Sequence, residues 1–95
     1  KPMFNQLISA LEAINYHKVK EDNNIVFYES MTTPTIVQLN YTDNSVSFTV
    51  TNTTVIPITI NSFTIYNPDD NCEHVVKNLE AFNTLVHKML NALTD

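Results

Sequence analysis

The chain contains no glycine, no arginine and a single cysteine in 95 residues. Each absence removes a class of chemistry. Without glycine there is no Gly-rich loop whose backbone can cradle a phosphate, and no G-x-S-x-G nucleophile elbow. Without arginine there is no bidentate fork for guanine. The basic residues Lys1, Lys18, Lys20, Lys77 and Lys88 form no cluster, so direct binding to a phosphate backbone is disfavoured as well. Cys72 has no partner for an intramolecular disulfide, which favours a reducing compartment. No apolar run approaches the ~20 residues of a membrane-spanning helix, and no signal-peptide pattern is present. The expected location is therefore cytoplasmic or intracellular. The chain begins Lys1-Pro2 rather than with Met, which leaves a removed leader open.

Asparagine fills the place of glycine. There are 13 asparagines, and Asn23-Asn24, Asp43-Asn44 and Asn67-Pro68 stand where turns are expected. Asparagine is the next best residue for left-handed backbone geometry. The bias toward Asn, Ile, Thr and Lys fits an AT-rich coding sequence, as in a low-GC bacterium, its phages or some viruses. Charged residues make up 16% of the chain, against roughly 25% in typical domains, so neutral polar groups must cover much of the surface. Apolar content of 43% is enough for one domain, residues 1–95, to build a core.

The stretch from Thr35 to Tyr66 carries strand periodicity. Val37, Leu39 and Tyr41 alternate with polar residues, as do Val46, Phe48 and Val50, and then Ile56, Ile58 and Ile60. A two-residue type I′ turn at Asp43-Asn44 sets Tyr41 opposite Val46, Leu39 opposite Phe48 and Val37 opposite Val50. An odd-length loop around Asn52-Thr53-Thr54 would bring Ile56 opposite Val50 and Ile58 opposite Phe48. Pro57 then marks that strand as an edge. The apolar phase shifts at Asn61-Ser62, before Phe63 and Ile65, which predicts a β-bulge or bend there. Ile25–Ser30 reads as a strand, and Tyr16–Lys20 as a shorter one joined to it by an asparagine turn.

Helices flank this region. Met3–Asn15 carries Phe4, Leu7, Ile8, Leu11 and Ile14 on one face, with Pro2 suited to the first turn. A longer helix runs from Asp69-Asp70-Asn71, read as its cap, to about Leu93. Its main stripe is Cys72, Val75, Val76, Leu79, Phe82, Val86, Met89, Leu90 and Leu93. A weaker stripe holds Ala81, Leu85 and Ala92. The fold class is α+β: an antiparallel four- to five-stranded meander with an N-terminal helix and a long C-terminal helix packed on one face. Phe48 and Phe82 are expected to meet in the core.

No motif demands a particular chemistry. Cys72, Glu73 and His74 are adjacent, but consecutive helical residues diverge by about 100° and do not converge on a ligand. Glu80 and His87 share a helix face and supply only two of the three or four ligands that zinc requires. No catalytic residue, metal or cofactor is assigned. Asn40-Tyr41-Thr42 and Asn52-Thr53-Thr54 match the N-glycosylation pattern, as chance matches do in an Asn- and Thr-rich chain.

The expected function is a non-catalytic protein–protein interaction module: a small acidic adaptor, chaperone-like protein or inhibitor. Two surfaces are candidates for the partner. The sheet's outer face carries Gln38, Asn40, Thr49 and Thr51, with Ser47 and Thr59, and is almost free of charge, as interface cores are. The strip Ala81, Leu85 and Ala92 suits a second helix, including that of a second copy in a homodimer. The alternative is a phage- or mobile-element-encoded inhibitor that uses its net charge of −5 to mimic nucleic acid and block a nucleic-acid-binding protein. A third reading is a small enzyme using Cys72 with a histidine.

Overall fold

The computed structural model describes residues 3–54 and 56–94. Pro2, read above as a first-turn residue, lies outside them. The chain runs α1 (Asn5–Ala13), β1 (Tyr16–Asp22), β2 (Ile25–Ser30), β3 (Thr35–Tyr41), β4 (Ser45–Asn52), β5 (Ile60–Tyr66), a 3₁₀ turn (Pro68–Asp70) and α2 (Cys72–Thr94). The five strands form one antiparallel sheet in sequence order, the meander that the short connections predict. The architecture is α+β, with both helices contributing to the core on one face of the sheet.

Alternation decides which face is covered. Val26, Tyr28, Val37, Leu39, Tyr41, Val46, Phe48 and Val50 point inward and are buried. Leu7 and Leu11 of α1 and Val75, Leu79, Phe82 and Val86 of α2 close over them. Phe48 and Phe82 share this core, as expected, and Phe48 stacks on Phe63 with ring centroids 4.8 Å apart.

The predicted β3–β4 register holds at all of its pairs. The turn that closes it differs. Positive φ occurs at Asn15, Asn23 and Asn67, and at neither Asp43 nor Asn44, so the turn is not type I′. Side chains hold it instead. The Thr42 hydroxyl meets both the Ser45 carbonyl and the Ser45 hydroxyl, and the Thr42 N–H donates to the Ser45 carbonyl at 2.9 Å. The substitution of asparagine for glycine is real at Asn23 and Asn67. It extends to Asn15, which turns the end of α1 into β1.

The strand expected at Ile56–Ile60 is absent. Residues 53–54 and 56–59 form part of a loop, with a cis Ile56–Pro57 peptide, and β5 begins only at Ile60. Phe63 lies opposite Phe48, and Ile65 opposite Val46. Pairing in that phase buries an aromatic and keeps Pro57, which has no N–H to donate, out of the ladder. It also removes any need for a bulge at Asn61-Ser62. The bulge lies in β1 instead, between Lys18 and Lys20. Asp69 does not cap α2: its Oδ1 accepts the Leu7 N–H of α1 at 3.1 Å.

Candidate functional site

The two ends of the sheet are built differently. β1 is an edge with Lys18, Lys20, Glu21 and Asp22 along it and a bulge in its middle. Charge and a bulge are what natural sheets use to stop another strand from adding. β5 is the other edge, with the sequence Ile-Asn-Ser-Phe-Thr-Ile-Tyr. It carries no charge and no proline, and its register with β4 is continuous over seven residues.

The β5 hydrogen-bonding pattern follows from its neighbours. Asn52 N–H donates to the Thr59 carbonyl at 3.2 Å, and Asn67 N–H to the Asn44 carbonyl at 2.8 Å. Antiparallel ladders alternate, so Asn61, Phe63 and Ile65 direct their backbone groups to β4. Ile60, Ser62 and Thr64 turn theirs outward, and all three side chains are exposed. Tyr66 is the last of this outward set, and its carbonyl is taken by the Asn71 amide at 2.9 Å. The edge therefore offers a short run of open donors and acceptors. Beside it stand Ile56, Ile58 and Ile60, which are 79%, 55% and 62% exposed. Three exposed isoleucines thus fall within five residues at the start of this edge.

The residues singled out in the sequence fall on two opposite surfaces. Gln38, Asn40, Thr49 and Thr51 lie half-buried on the outer face of β3 and β4, with Gln38 Nε2 bonded to Asn40 Oδ1 at 3.3 Å. Ser47 joins them, whereas Thr59 belongs to the loop. Ala81, Leu85 and Ala92 are exposed on α2, across the core from that face, and α1 does not cover them. Leu85 is 45% exposed. The two sets do not form one site.

The reactive residues do not converge. Cys72 is half-buried, and its thiol donates to the Pro68 carbonyl at 3.2 Å. Burial pushes its pKa up, and Asp69 and Asp70 add to the rise, the opposite of what a nucleophile needs. Glu73 and His74 are exposed beside it. His87 Nε2 lies 2.8 Å from the Thr33 hydroxyl, at the rim of a polar cleft that also includes Glu80 and Asn83. Among the described residues no group of three His, Cys, Asp or Glu side chains is placed to hold a metal. Asn52 of the second glycosylation match is buried, which closes that position to modification.

Beneath α2 lies a closed polar triangle. Asn83 Nδ2 donates to the Tyr16 hydroxyl at 3.0 Å, that hydroxyl lies 3.2 Å from Thr35 Oγ1, and Thr35 Oγ1 donates to Asn83 Oδ1 at 3.1 Å. Every group in the ring both donates and accepts, so it ties α2 to β1 and β3, and Asn83 also borders the polar cleft. Among the described residues no helix is long and apolar enough to cross a membrane. Comparison with known proteins finds no matching family model, no similar curated protein and no similar solved structure.

Proposed function

We propose that this protein is a non-catalytic binding module that captures an extended segment of another protein along β5. The observation that carries the reading is the contrast between the sheet's edges: charged and bulged at β1, uncharged and regular at β5. Strand addition draws affinity from main-chain hydrogen bonds, and the outward groups of Ile60, Ser62 and Thr64 supply them. Specificity comes from alternate side chains, and Ile56, Ile58 and Ile60 favour a partner segment rich in apolar and β-branched residues. The partner's central residues are uncharged, because no charge on β5 would pair with theirs. Nucleic-acid mimicry has weaker support. The described carboxylates are divided among α1, β1, β2, the β3–β4 turn, the 3₁₀ turn and α2, and Asp69 and Glu21 are engaged within the chain.

The test is a comparison of captured partners between the parent and edge variants. Ser62→Pro removes an outward N–H without touching the β4 ladder, and Ile60→Lys places a charge on the edge. Both variants are expected to lose the partner, with its amide-exchange protection at Ile60, Ser62 and Thr64. Retention of the same partner by both folded variants sinks the reading.

A second reading is self-association through α2, favoured by the exposure of Leu85 between Ala81 and Ala92. Sedimentation separates the two. A dimer that Leu85→Glu dissolves supports the helix interface, and a dimer that only Ile60→Lys dissolves supports β5–β5 pairing between copies. A parent that stays monomeric at high micromolar concentration rules out both forms of homodimer.

A further inference from the structure

The outward backbone groups of β5 are self-complementary. Ile60, Ser62 and Thr64 turn their N–H and carbonyl away from β4, and Asn71 ends the run by taking the Tyr66 carbonyl. The run is thus symmetric about Ser62. Antiparallel strands exchange both N–H···O bonds at every second residue pair. With two copies of β5 antiparallel and Ser62 opposite Ser62, Ile60 of each falls opposite Thr64 of the other. All three residues on both edges are then paired. A register centred on Asn61 leaves Thr64 opposite Ile58, which lies outside the strand. One centred on Phe63 leaves Ile60 opposite Tyr66, whose carbonyl is already engaged.

The side chains agree with the Ser62 register. β5 carries no charge, so a two-fold sets no like charges against each other. Ile60 meets Thr64, a pair of β-branched residues suited to neighbouring strands. Continued past Ile60, the register brings Ile58 opposite Tyr66 of the second copy, and both are exposed in the single chain. The contrast between the edges limits growth. Pairing uses up both β5 strands and leaves β1 at either end of the joined sheet, with Lys18, Lys20, Glu21 and Asp22 and a bulge. Such an edge resists a further strand, so the assembly closes at two copies.

We propose that the strand captured at β5 is β5 of a second copy of this chain, paired antiparallel about a two-fold axis at Ser62. The proposal rests on strand capture at β5 and names its occupant. A segment of another protein gains the edge by displacing the second copy.

Sedimentation and cysteine cross-linking test it. The parent is expected to dimerise at high micromolar concentration. Ile60→Lys and Ser62→Pro each weaken the dimer by about tenfold or more, and Leu85→Glu leaves it unchanged. Register is read from single cysteines in a Cys72→Ser background, treated with oxidised glutathione. Hydrogen-bonded residue pairs lie about 5.5 Å apart at Cα, within the roughly 4.4–6.8 Å that a disulfide spans. Ser62→Cys therefore cross-links the dimer, whereas Thr64→Cys, opposite Ile60, does not. The inference is overturned if the parent is monomeric at high micromolar concentration, if Leu85→Glu alone dissolves the dimer, or if Thr64→Cys cross-links as readily as Ser62→Cys. Ser62 is exposed and its change to cysteine is small, so this comparison decides even if Ser62→Pro does not fold. In a monomeric parent, loss of a captured partner on Ile60→Lys keeps strand capture and sinks only the self-pairing, whereas retention sinks both.

Discussion

The Asp69 carboxylate caps helix α1 from 62 positions away, its Oδ1 accepting the Leu7 N–H at 3.1 Å. The residue at the helix's own N-cap is Phe4, which has no side-chain acceptor. Leu7 is the third residue of α1, the position whose N–H an N-cap side chain normally receives. The segment between β5 and α2 thus does the work that a local serine or aspartate would do elsewhere. It also pins α1 to the start of α2.

Asp69→Ala is expected to lower stability by about 1–2 kcal/mol, the scale of a lost cap. Asp69→Asn keeps an acceptor and loses much less. Asp70→Ala is the control, because Asp70 takes part through its backbone N–H. Urea midpoints rank the three variants. Equal midpoints for Asp69→Ala and Asp70→Ala would show that the cap contributes nothing.

Asn67 and Asn44 should respond oppositely to the same substitutions. Asn67 has φ of 48°, a left-handed conformation that glycine adopts freely and alanine does not. Asn67→Ala should cost about 1–2 kcal/mol, and Asn67→Gly should recover it. Asn44 lies outside that region, so Asn44→Gly only loosens the unfolded chain and should destabilise by about 0.5–1 kcal/mol. Thermal melts of the three variants decide. Stabilisation by Asn44→Gly would mean that the hairpin turn has positive φ after all.

The Tyr16–Thr35–Asn83 triangle fails as a unit. Tyr16→Phe leaves Asn83 Nδ2 and Thr35 Oγ1 short of a partner in a buried setting, and should cost about 1–3 kcal/mol. Adding Asn83→Leu to that variant should cost less than Asn83→Leu costs alone, because the ring is already broken. Additive losses in a double-mutant cycle would deny the coupling.

Tyr41 makes the fold sensitive to alkali. Burial, with the neighbouring Tyr28, raises its folded pKa from 10.0 to about 12, and burial also raises that of Tyr28. The unfolded phenol ionises first. Stability from these groups is therefore intact below pH 10 and is lost as the pH climbs toward 12, by up to about 2–3 kcal/mol for Tyr41. Urea denaturation at pH 9 and pH 11.5 measures the slope. Tyr41→Phe should flatten part of it, and an unchanged slope would place the alkaline loss elsewhere.

Alternation along the chain was enough to establish β2, β3 and β4, the β3–β4 register and the side of the sheet that is covered. With a period of two and one buried face, a one-residue slip would expose every apolar residue of a strand, so local pattern leaves a single register. The main stripe of α2 was legible in the same way at Val75, Leu79, Phe82 and Val86, because burial of one helix face repeats every 3.6 residues, whereas Leu93 at its far end is exposed. The absence of glycine pointed correctly to asparagine at left-handed turns, at Asn23 and Asn67. Pattern misled at Ile56, Ile58 and Ile60, where β-branched alternation mimics a strand. Tertiary pairing overrode it, since only the later phase sets Phe63 on Phe48. The uncharged run Ile60–Tyr66 was visible as a sequence. That it is an open edge depends on which strands lack a second neighbour, a property of the assembled sheet. Short-range periodicity determined the elements, and long-range packing decided where the surfaces that can bind anything lie.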